Sequence, residues 1–300
     1  MALSIVLAIA SSNLVSANVS VVVADMKSTA DNFLNALTDE ERATATFKFG
    51  DDQRIDWHFI PKDRKGLALN QISGEKKTLA YALLSSGLSA RGFIQSTTIM
   101  TLEKILQNME GPGRRFPLDP ELYHVSIFGT PSSEGTWGWS FEGHHLSANF
   151  TIVEGSFISA TPHFMGTKPA LVKEGPRKGV QVLGLEENMA RELVKSLKPN
   201  QRKKAIIGDK APSEIFTAAE KSVSPLENKG IASTDLNWSQ VEALLEIIET
   251  YLFHVRPELA EIELEKIEEA GIKNIKFAWM GSTRVADPHY YRIQGPTYLM

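Results

Sequence analysis

The segment at residues 137–152 holds the densest group of side chains that could do chemistry, one carboxylate and two adjacent histidines within a strand-like run. Glu142, His144 and His145 offer an oxygen and two neutral nitrogens, the ligand types that suit zinc, iron, copper or manganese. An open coordination position on such a metal could activate water for hydrolysis or bind oxygen for oxidation. We therefore predict a divalent metal site here. Hydrolysis is preferred because no redox-specific ligand pattern is present.

A second polar segment, at residues 289–296, supplies further candidates for this site. His289 begins a predicted strand beside aromatic residues and is the preferred additional metal ligand, with His58 as the other candidate. Arg292 and Gln294 would share one strand face, where the guanidinium could orient an anionic substrate. Glu142 and Arg292 are thus the predicted catalytic residues. The alternative is that Arg292 lies on the surface of a hairpin, with its aliphatic part packed on the protein and its guanidinium in water.

The apolar pattern of residues 137–152 changes phase in the middle. Apolar residues occupy odd positions up to Phe141 and even positions beyond His145. Since strand side chains alternate between faces, this change indicates a β-bulge, a kink at Gly143, or two separate strands. In one regular strand Glu142 and His144 would share a face and His145 would oppose them, so only a bulge would gather both imidazoles. The structural alternative is that Glu142 and His145 bind the backbone at such a bulge.

A non-catalytic binding module is the second hypothesis, with a small molecule, a saccharide or a peptide as its ligand. Aromatic side chains could stack on such a ligand, although at strand spacing they more often belong to a core. A third hypothesis is a structural envelope protein without chemistry. The predicted substrate-binding residues are Trp57, His58, Trp139, Tyr291 and Gln294.

Composition limits the class of protein. The chain has 300 residues, of which 42% are hydrophobic and 23% charged, and a net charge of -4. These values are typical of a globular chain with no general attraction to nucleic acid or anionic membranes. The absence of cysteine excludes disulfides and thiolate ligands. Beyond the N-terminus, no apolar stretch approaches the ~20 residues of a membrane span.

The N-terminus predicts export. Residues 2–23 carry no charge and include an apolar run at 3–10, followed by the small-residue pattern Val15-Ser16-Ala17. This pattern is typical of a signal peptide covering residues 1–17, although the basic start of such a peptide is missing. The alternative is a buried first helix or strand. Export implies a periplasmic or extracellular location for a single α+β domain at residues 18–300.

Helices and strands are predicted in blocks, which favours an α+β fold with helices packed on an antiparallel or mixed sheet. Thr38 and Glu41 form a capping-box pattern that starts a short helix. Three successive strand patterns with short turns predict an antiparallel meander. The predicted segments are helices within 76–109, 185–197, 238–253 and 258–270, and strands at 54–61, 122–128, 137–152, 156–164, 274–280 and 289–300.

Four segments carry a resemblance to a known family: Trp-His-Phe-Ile-Pro at 57–61, Ile-Phe-Gly-Thr-Pro at 127–131, Trp-Gly-Trp-Ser-Phe-Glu-Gly-His-His-Leu-Ser at 137–147 and His-Tyr-Tyr-Arg-Ile-Gln-Gly-Pro at 289–296. With these segments the chain resembles, over roughly residues 25–300, the family catalogued as domain of unknown function 3500. The resemblance implies bacterial-type exported proteins without a settled activity. It also implies a continuation past Thr297-Tyr298-Leu299-Met300, with an acidic, asparagine-rich turn and a His-x-His segment. On this basis we expect the chain to be truncated at its C-terminus and a further histidine to be missing.

Overall fold

A computed structural model describes the backbone of residues 2–300 and the side chains from Val19 onward. Its internal contacts divide the chain into two compact units. The first holds the residues up to Val182 together with His254–Leu259, and the second holds Leu183–Phe253 and Ala260–Met300. The predicted leader at residues 1–17 lies outside the part whose side chains are described. The single domain predicted for residues 18–300 stays a prediction.

Within the described residues, the first unit contains four helices and a seven-stranded mixed sheet. In chain order its elements are α1 (Ala2–Ala36), α2 (Asp39–Ala45), β1 (Thr46–Phe47), β2 (Leu67–Ala68), α3 (Glu75–Gly87), α4 (Ala90–Glu110), β3 (His124–Phe128), β4 (Trp137–Gly143), β5 (Leu146–Val153), β6 (Phe157–Ser159) and β7 (His163–Met165). The strands β3, β4 and β5 form the predicted antiparallel meander. β2 pairs antiparallel with β3, β6 and β7 pair antiparallel with β5, and β1 runs parallel to β3.

One face of this meander is apolar and carries the core of the unit. Ile127 lies opposite Trp139, which in turn lies opposite Phe150. Trp139 stacks on Phe150 with 4.4 Å between ring centroids. Tyr81 of α3 covers this face, 6.4 Å from the ring of Phe141, and α4 contacts β5. The helices therefore pack on the apolar face, as expected of an α+β layer.

The other face of the meander carries a buried row of polar side chains. The loop before β2 closes over it so tightly that a Cβ on Gly66 would lie 2.4 Å from Ser126 Oγ. Gly66 also has a φ of 91°, which only glycine adopts without strain. The backbone of this loop therefore lies directly on the polar face. Its buried polar members include Ser126, Ser140, Glu142 and Ser147.

The second unit packs helices against a smaller mixed sheet with a core around Phe277, Trp279 and Ile293. Within the described residues, four strands form this sheet. β10 pairs antiparallel with β11 and β9 and parallel with β8. The remaining elements are α5 (Gly184–Ser196), α6 (Pro199–Ala205), β8 (Ile206–Gly208), β9 (Ile231–Ala232), α7 (Trp238–Leu252), α8 (Pro257–Ala270), which spans the two units, β10 (Lys276–Gly281) and β11 (His289–Gln294).

Most predicted elements are present, and the fold is α+β with mixed sheets. The capping box is confirmed, since Thr38 Oγ1 accepts a hydrogen bond from the Glu41 backbone N–H at 3.2 Å and the Thr38 backbone N–H donates to Glu41 Oε2 at 2.7 Å. The patterns at 76–109 and 238–270 also form helices, as predicted.

The strand predicted at residues 54–61 is wrong. Asp52–Ile55 is a short 3-10 helix, and the residues that follow have no regular structure. Backbone carbonyls here bind a side chain instead of a neighbouring strand. Arg64 Nη2 donates to the carbonyls of His58 and Ile60 at 2.7 and 2.8 Å. Alternation in the sequence cannot reveal that a buried guanidinium replaces a strand partner.

Candidate metal centre

His144 and His145 form the two-residue turn of the hairpin between β4 and β5. Gly143 lies opposite Leu146, so each odd-numbered residue of β4 faces an even-numbered residue of β5. This register explains the change of apolar phase, and of the three alternatives the structure contains two separate strands. The expectation that only a bulge could gather the two imidazoles is wrong, because the turn places both at one end of the sheet.

The backbone of this turn is held on several sides. Tyr123 Oη donates to the His144 carbonyl at 2.7 Å, and the His145 carbonyl accepts from the Gly166 N–H at 2.8 Å. The His145 N–H donates to the Phe59 carbonyl at 2.8 Å. His145 has a φ of 62°, a left-handed conformation that is uncommon for a residue with a side chain. The turn is therefore locally strained but firmly positioned.

The carboxylate that meets the two histidines is Glu103, from α4. Glu103 Oε1 lies 2.8 Å from His144 Nδ1, and its side chain is 4% exposed. The imidazoles of His144 and His145 stack with 3.7 Å between centroids. One potential ligand atom from each of the three residues lies within 4.8 Å of the others. Among the described residues, this is the one group of three or more histidine and acidic side chains with such spacing.

The electrostatic environment keeps His145 available as a ligand. Burial, followed by the charges of His144, Lys168 and Arg114, lowers the pKa of His145 to about 3. The imidazole is therefore neutral near neutral pH, and metal ligation requires that neutral form. Lys168 and Arg114 both pair with Glu110, on the same helix as Glu103.

Glu142 is not part of this cluster. Its Oε1 accepts from Arg64 Nε at 2.5 Å, and its Oε2 accepts from Ser147 Oγ at 3.2 Å. Burial raises the pKa of Glu142, whereas the charge and hydrogen bond of Arg64 act in the opposite direction. The pair closes the polar face of the sheet. The structure thus replaces the predicted carboxylate with Glu103.

His289 belongs to the second unit, whereas His144 and His145 belong to the first. Its ring stacks on Trp279 with 4.9 Å between centroids and an interplanar angle of 9°. Its Nδ1 lies 3.3 Å from Arg191 Nη2 and 3.1 Å from the Asp287 carbonyl. Arg191 also donates to Glu187 Oε1 at 2.5 Å. Among the described residues, His289 does not join any group that could hold a metal.

Arg292 and Gln294 do share a face of β11, as predicted, but both contact the chain itself. Arg292 is buried and donates to the Glu227 carbonyl at 2.5 Å. Gln294 binds the backbone N–H and carbonyl of Leu226 at 3.2 and 3.3 Å. These contacts hold the irregular segment before β9 against the sheet. The alternative interpretation of Arg292, a guanidinium in water on a hairpin surface, is wrong because the side chain is buried.

The predicted substrate-binding aromatics occupy different environments. Trp139 is 1% exposed within the core. Tyr291 is mostly buried, donates to the Glu186 carbonyl at 2.7 Å and lies with its hydroxyl oxygen 2.5 Å from that of Tyr251. Trp57 and His58 lie in the loop before β2, where His58 Nδ1 accepts from two backbone N–H groups. Trp139, by contrast, is buried and stacks on Phe150.

A small pocket borders the cluster. It has room for about one water molecule. Glu103 and His144 form part of its wall, so a metal held by them would face it. The other lining residues are Pro61, Lys62, Arg64, Phe116, Pro117, Asp119 and Leu122.

Sequence reasoning missed Glu103 and Arg64. Glu103 follows Ile99 by four residues and precedes Leu106 by three, so it occupies the buried stripe of α4. A carboxylate within an apolar helical stripe was therefore a usable signal, since such groups are rarely buried without a partner. Arg64 lies in a loop with no periodic pattern, and nothing in its local sequence indicated burial.

The fold and this cluster define an α+β protein with a buried carboxylate and two imidazoles at the end of a meander. The chain belongs to the family described as Protein of unknown function (DUF3500), whose model matches residues 20–300. No curated protein and no solved structure matches the chain. Among the described residues, no helix has both the length and the apolar character needed to cross a membrane.

Proposed function

We propose that the protein binds a divalent transition metal through Glu103, His144 and His145 and uses it as a metal-dependent enzyme. The observation that carries this proposal is the convergence of the three ligand atoms within 4.8 Å. Two imidazoles and one carboxylate are the ligand set of several hydrolytic zinc sites and of non-haem iron sites. The neutral state of His145 supports metal binding near neutral pH.

Hydrolysis of a small substrate is the reaction that we prefer. Three protein ligands leave an open position at which a metal lowers the pKa of water and supplies a nucleophile. The pocket beside Glu103 and His144 has room for about one water molecule, which is the nucleophile of such a reaction. Export remains part of the proposal and is supported by the uncharged residues 2–23.

Metal stoichiometry tests the proposal. The wild-type chain is stripped with a chelator, reloaded separately with zinc, iron or manganese, desalted and analysed for bound metal. We expect one metal per chain for the wild type and none for the His144→Ala, His145→Ala double variant. His289→Asn serves as the matched control, since this imidazole lies outside the cluster, and it should retain the metal.

Circular dichroism of each variant establishes that loss of metal does not reflect unfolding. A wild-type chain without bound metal, or a folded double variant with undiminished metal, would contradict the proposal. Hydrolysis of chromogenic ester and phosphoester substrates, with and without chelator, then tests the reaction. Activity that persists in the stripped chain would contradict metal-dependent hydrolysis.

A further inference from the structure

We infer that Lys168 and Arg114 bind an anionic group of the substrate, a phosphate or a carboxylate, beside His145 of the metal cluster. This inference rests on the proposed function and names its substrate class. The pocket with room for one water borders Glu103 and His144, and His145 does not line it. An anion bound by the two cations therefore does not have to enter that pocket.

Lys168 is brought close to His145 by the residues that follow β7. The Gly166 N–H donates to the His145 carbonyl at 2.8 Å, and a Cβ on Gly166 would lie 3.5 Å from His145 Cδ2. Lys168 follows Gly166 by two residues, which span at most ~7 Å of chain. The charges of Lys168 and Arg114 both act to lower the pKa of His145. Both cations are thus close enough to the imidazole to influence it.

One carboxylate of α4 holds the two cations together. Glu110 Oε1 lies 2.6 Å from Lys168 Nζ, and Glu110 Oε2 pairs with Arg114. Two positive charges therefore share one negative charge. The group keeps one positive charge that Glu110 does not neutralise, and an anionic ligand would compensate it.

The helix also sets the distance between this group and the metal. Glu110 follows Glu103 by seven residues, so both lie on one face of α4, separated by ~10 Å along the helix axis. An anion at Lys168 and Arg114 would thus lie several bonds from a metal at Glu103. The substrate class that fits is a small ester whose anionic group is remote from the bond that is cleaved.

The two cations are accessible to such a ligand. The side chain of Lys168 is 57% exposed and that of Arg114 is 31% exposed. Exposed ion pairs contribute little, because water solvates both groups when they separate. A ligand oxygen can therefore join or replace Glu110 as their partner. The planar guanidinium of Arg114 suits both phosphate and carboxylate groups.

Phenylphosphonate and benzoate are the anionic probes, and benzamide is the uncharged control of similar shape. Binding of each to the full chain is measured by titration calorimetry at low ionic strength, where exposed charges are least screened. Metal-free and zinc-loaded samples are compared. We expect at least one anion to bind tenfold more tightly than benzamide in both samples, and the tighter anion identifies the substrate group as a phosphate or a carboxylate.

Three variants test the residues, with changes of opposite sign. Lys168→Met should weaken binding of the tighter anion at least threefold, because one of the two cations is lost. Glu110→Gln should strengthen it by a similar factor, because both cations lose their carboxylate partner. Lys204→Met is the matched control, since its side chain is 54% exposed and pairs with Asp235 at 2.8 Å in the second unit. Circular dichroism establishes that each variant is folded.

Equal binding of the anions and benzamide, the same loss in both lysine variants, or weaker binding by Glu110→Gln would overturn the inference. Zinc is counted on the same samples, because the metal centre can fail independently. A chain that binds zinc but shows no Lys168-dependent anion binding contradicts only the anion site. A chain that binds the anion through Lys168 but takes up no zinc contradicts only the metal centre.

Discussion

Two hairpins of this protein place a histidine near a carboxylate, but they differ in the group that lies between these two side chains. At the β4–β5 turn, His144 meets Glu103 directly and stacks on a second imidazole. At the β10–β11 hairpin, Arg191 contacts both Glu187 and His289. A fixed guanidinium already supplies the positive charge there, whereas the proposed metal would supply it at the first hairpin.

The aromatic ring beside His289 is a further difference between the two hairpins. His289 lies flat on Trp279, and the guanidinium of Arg191 lies 5.7 Å from the centroid of that tryptophan. Such stacking and cation–π contacts stabilise a network that has no need of a ligand. Because Arg191 contacts both Glu187 and His289, we propose no metal at the second hairpin.

The largest expected effect is on the stability of the second hairpin. Arg191→Met should lower the free energy of unfolding by roughly 3 kcal/mol, because the Arg191 side chain is 1% exposed and its loss removes the buried donor that binds Glu187 and the Arg284 carbonyl. Urea denaturation of the variant measures this change. Metal content should stay at the wild-type level, and a loss of metal would contradict the separation of the two hairpins.

Replacement of the Glu103 carboxylate by an amide should lower the metal affinity of the first hairpin. Glu103→Gln keeps the shape but removes the charge, so we expect affinity for zinc to fall at least tenfold, about 1.4 kcal/mol. Competition with a chromogenic chelator measures the affinity. The matched controls are Glu187→Gln and Glu142→Gln, which should bind zinc as the wild type does. If Glu142→Gln alone lost zinc, the carboxylate inferred from the strand would be the ligand after all.

Acid should weaken the first unit through His163, whose two ring nitrogens have no hydrogen-bond partner among the described residues. Burial, and then the charge of His254, lowers the pKa of His163 to about 3. The unfolded chain binds a proton below its pKa of about 6.5 while the native state does not, so stability falls as pH decreases from about 6.5 towards 3.

His163→Phe should remove part of this acid sensitivity, at most about 1.4 kcal/mol for each pH unit in that window. Urea denaturation at pH 7.0 and pH 5.5 provides the measurement. His289→Asn, in the other hairpin, is the comparison variant. An unchanged pH dependence in His163→Phe would show that this imidazole does not govern the response.

The smallest expected effect concerns backbone strain at the first turn. His145→Gly should raise the free energy of unfolding by up to about 1 kcal/mol, because glycine accepts the φ of 62° without a Cβ clash. The same variant should lose metal. Ala286→Gly, at a φ of 68° in the loop of the second hairpin, should gain similar stability and keep the metal. A destabilised His145→Gly would mean that the imidazole contributes more by packing than the strain costs.

Local pattern predicted the helices and the meander because each depends on neighbours within a few positions. The capping pair Thr38 and Glu41 and the two helices within 76–109 required no tertiary knowledge. The strand predicted at 54–61 is wrong because backbone carbonyls there bind Arg64. This tertiary contact leaves no sign in the alternating sequence pattern. Local pattern also gives no sign that Glu142 and Arg292 each contact a segment distant in sequence, at Arg64 and Glu227.

The amino-acid sequence by itself determined that two histidines lie where the alternating apolar pattern changes phase, because the two-residue period of a strand is a local property. Tertiary structure decided which carboxylate joins them, since Glu103 and His144 are 41 positions apart and meet only when α4 packs against the sheet. It also decided that Arg191 contacts both His289 and Glu187. Contacts between helices and sheet depend on packing across the whole unit. A short stretch of sequence does not reveal that packing.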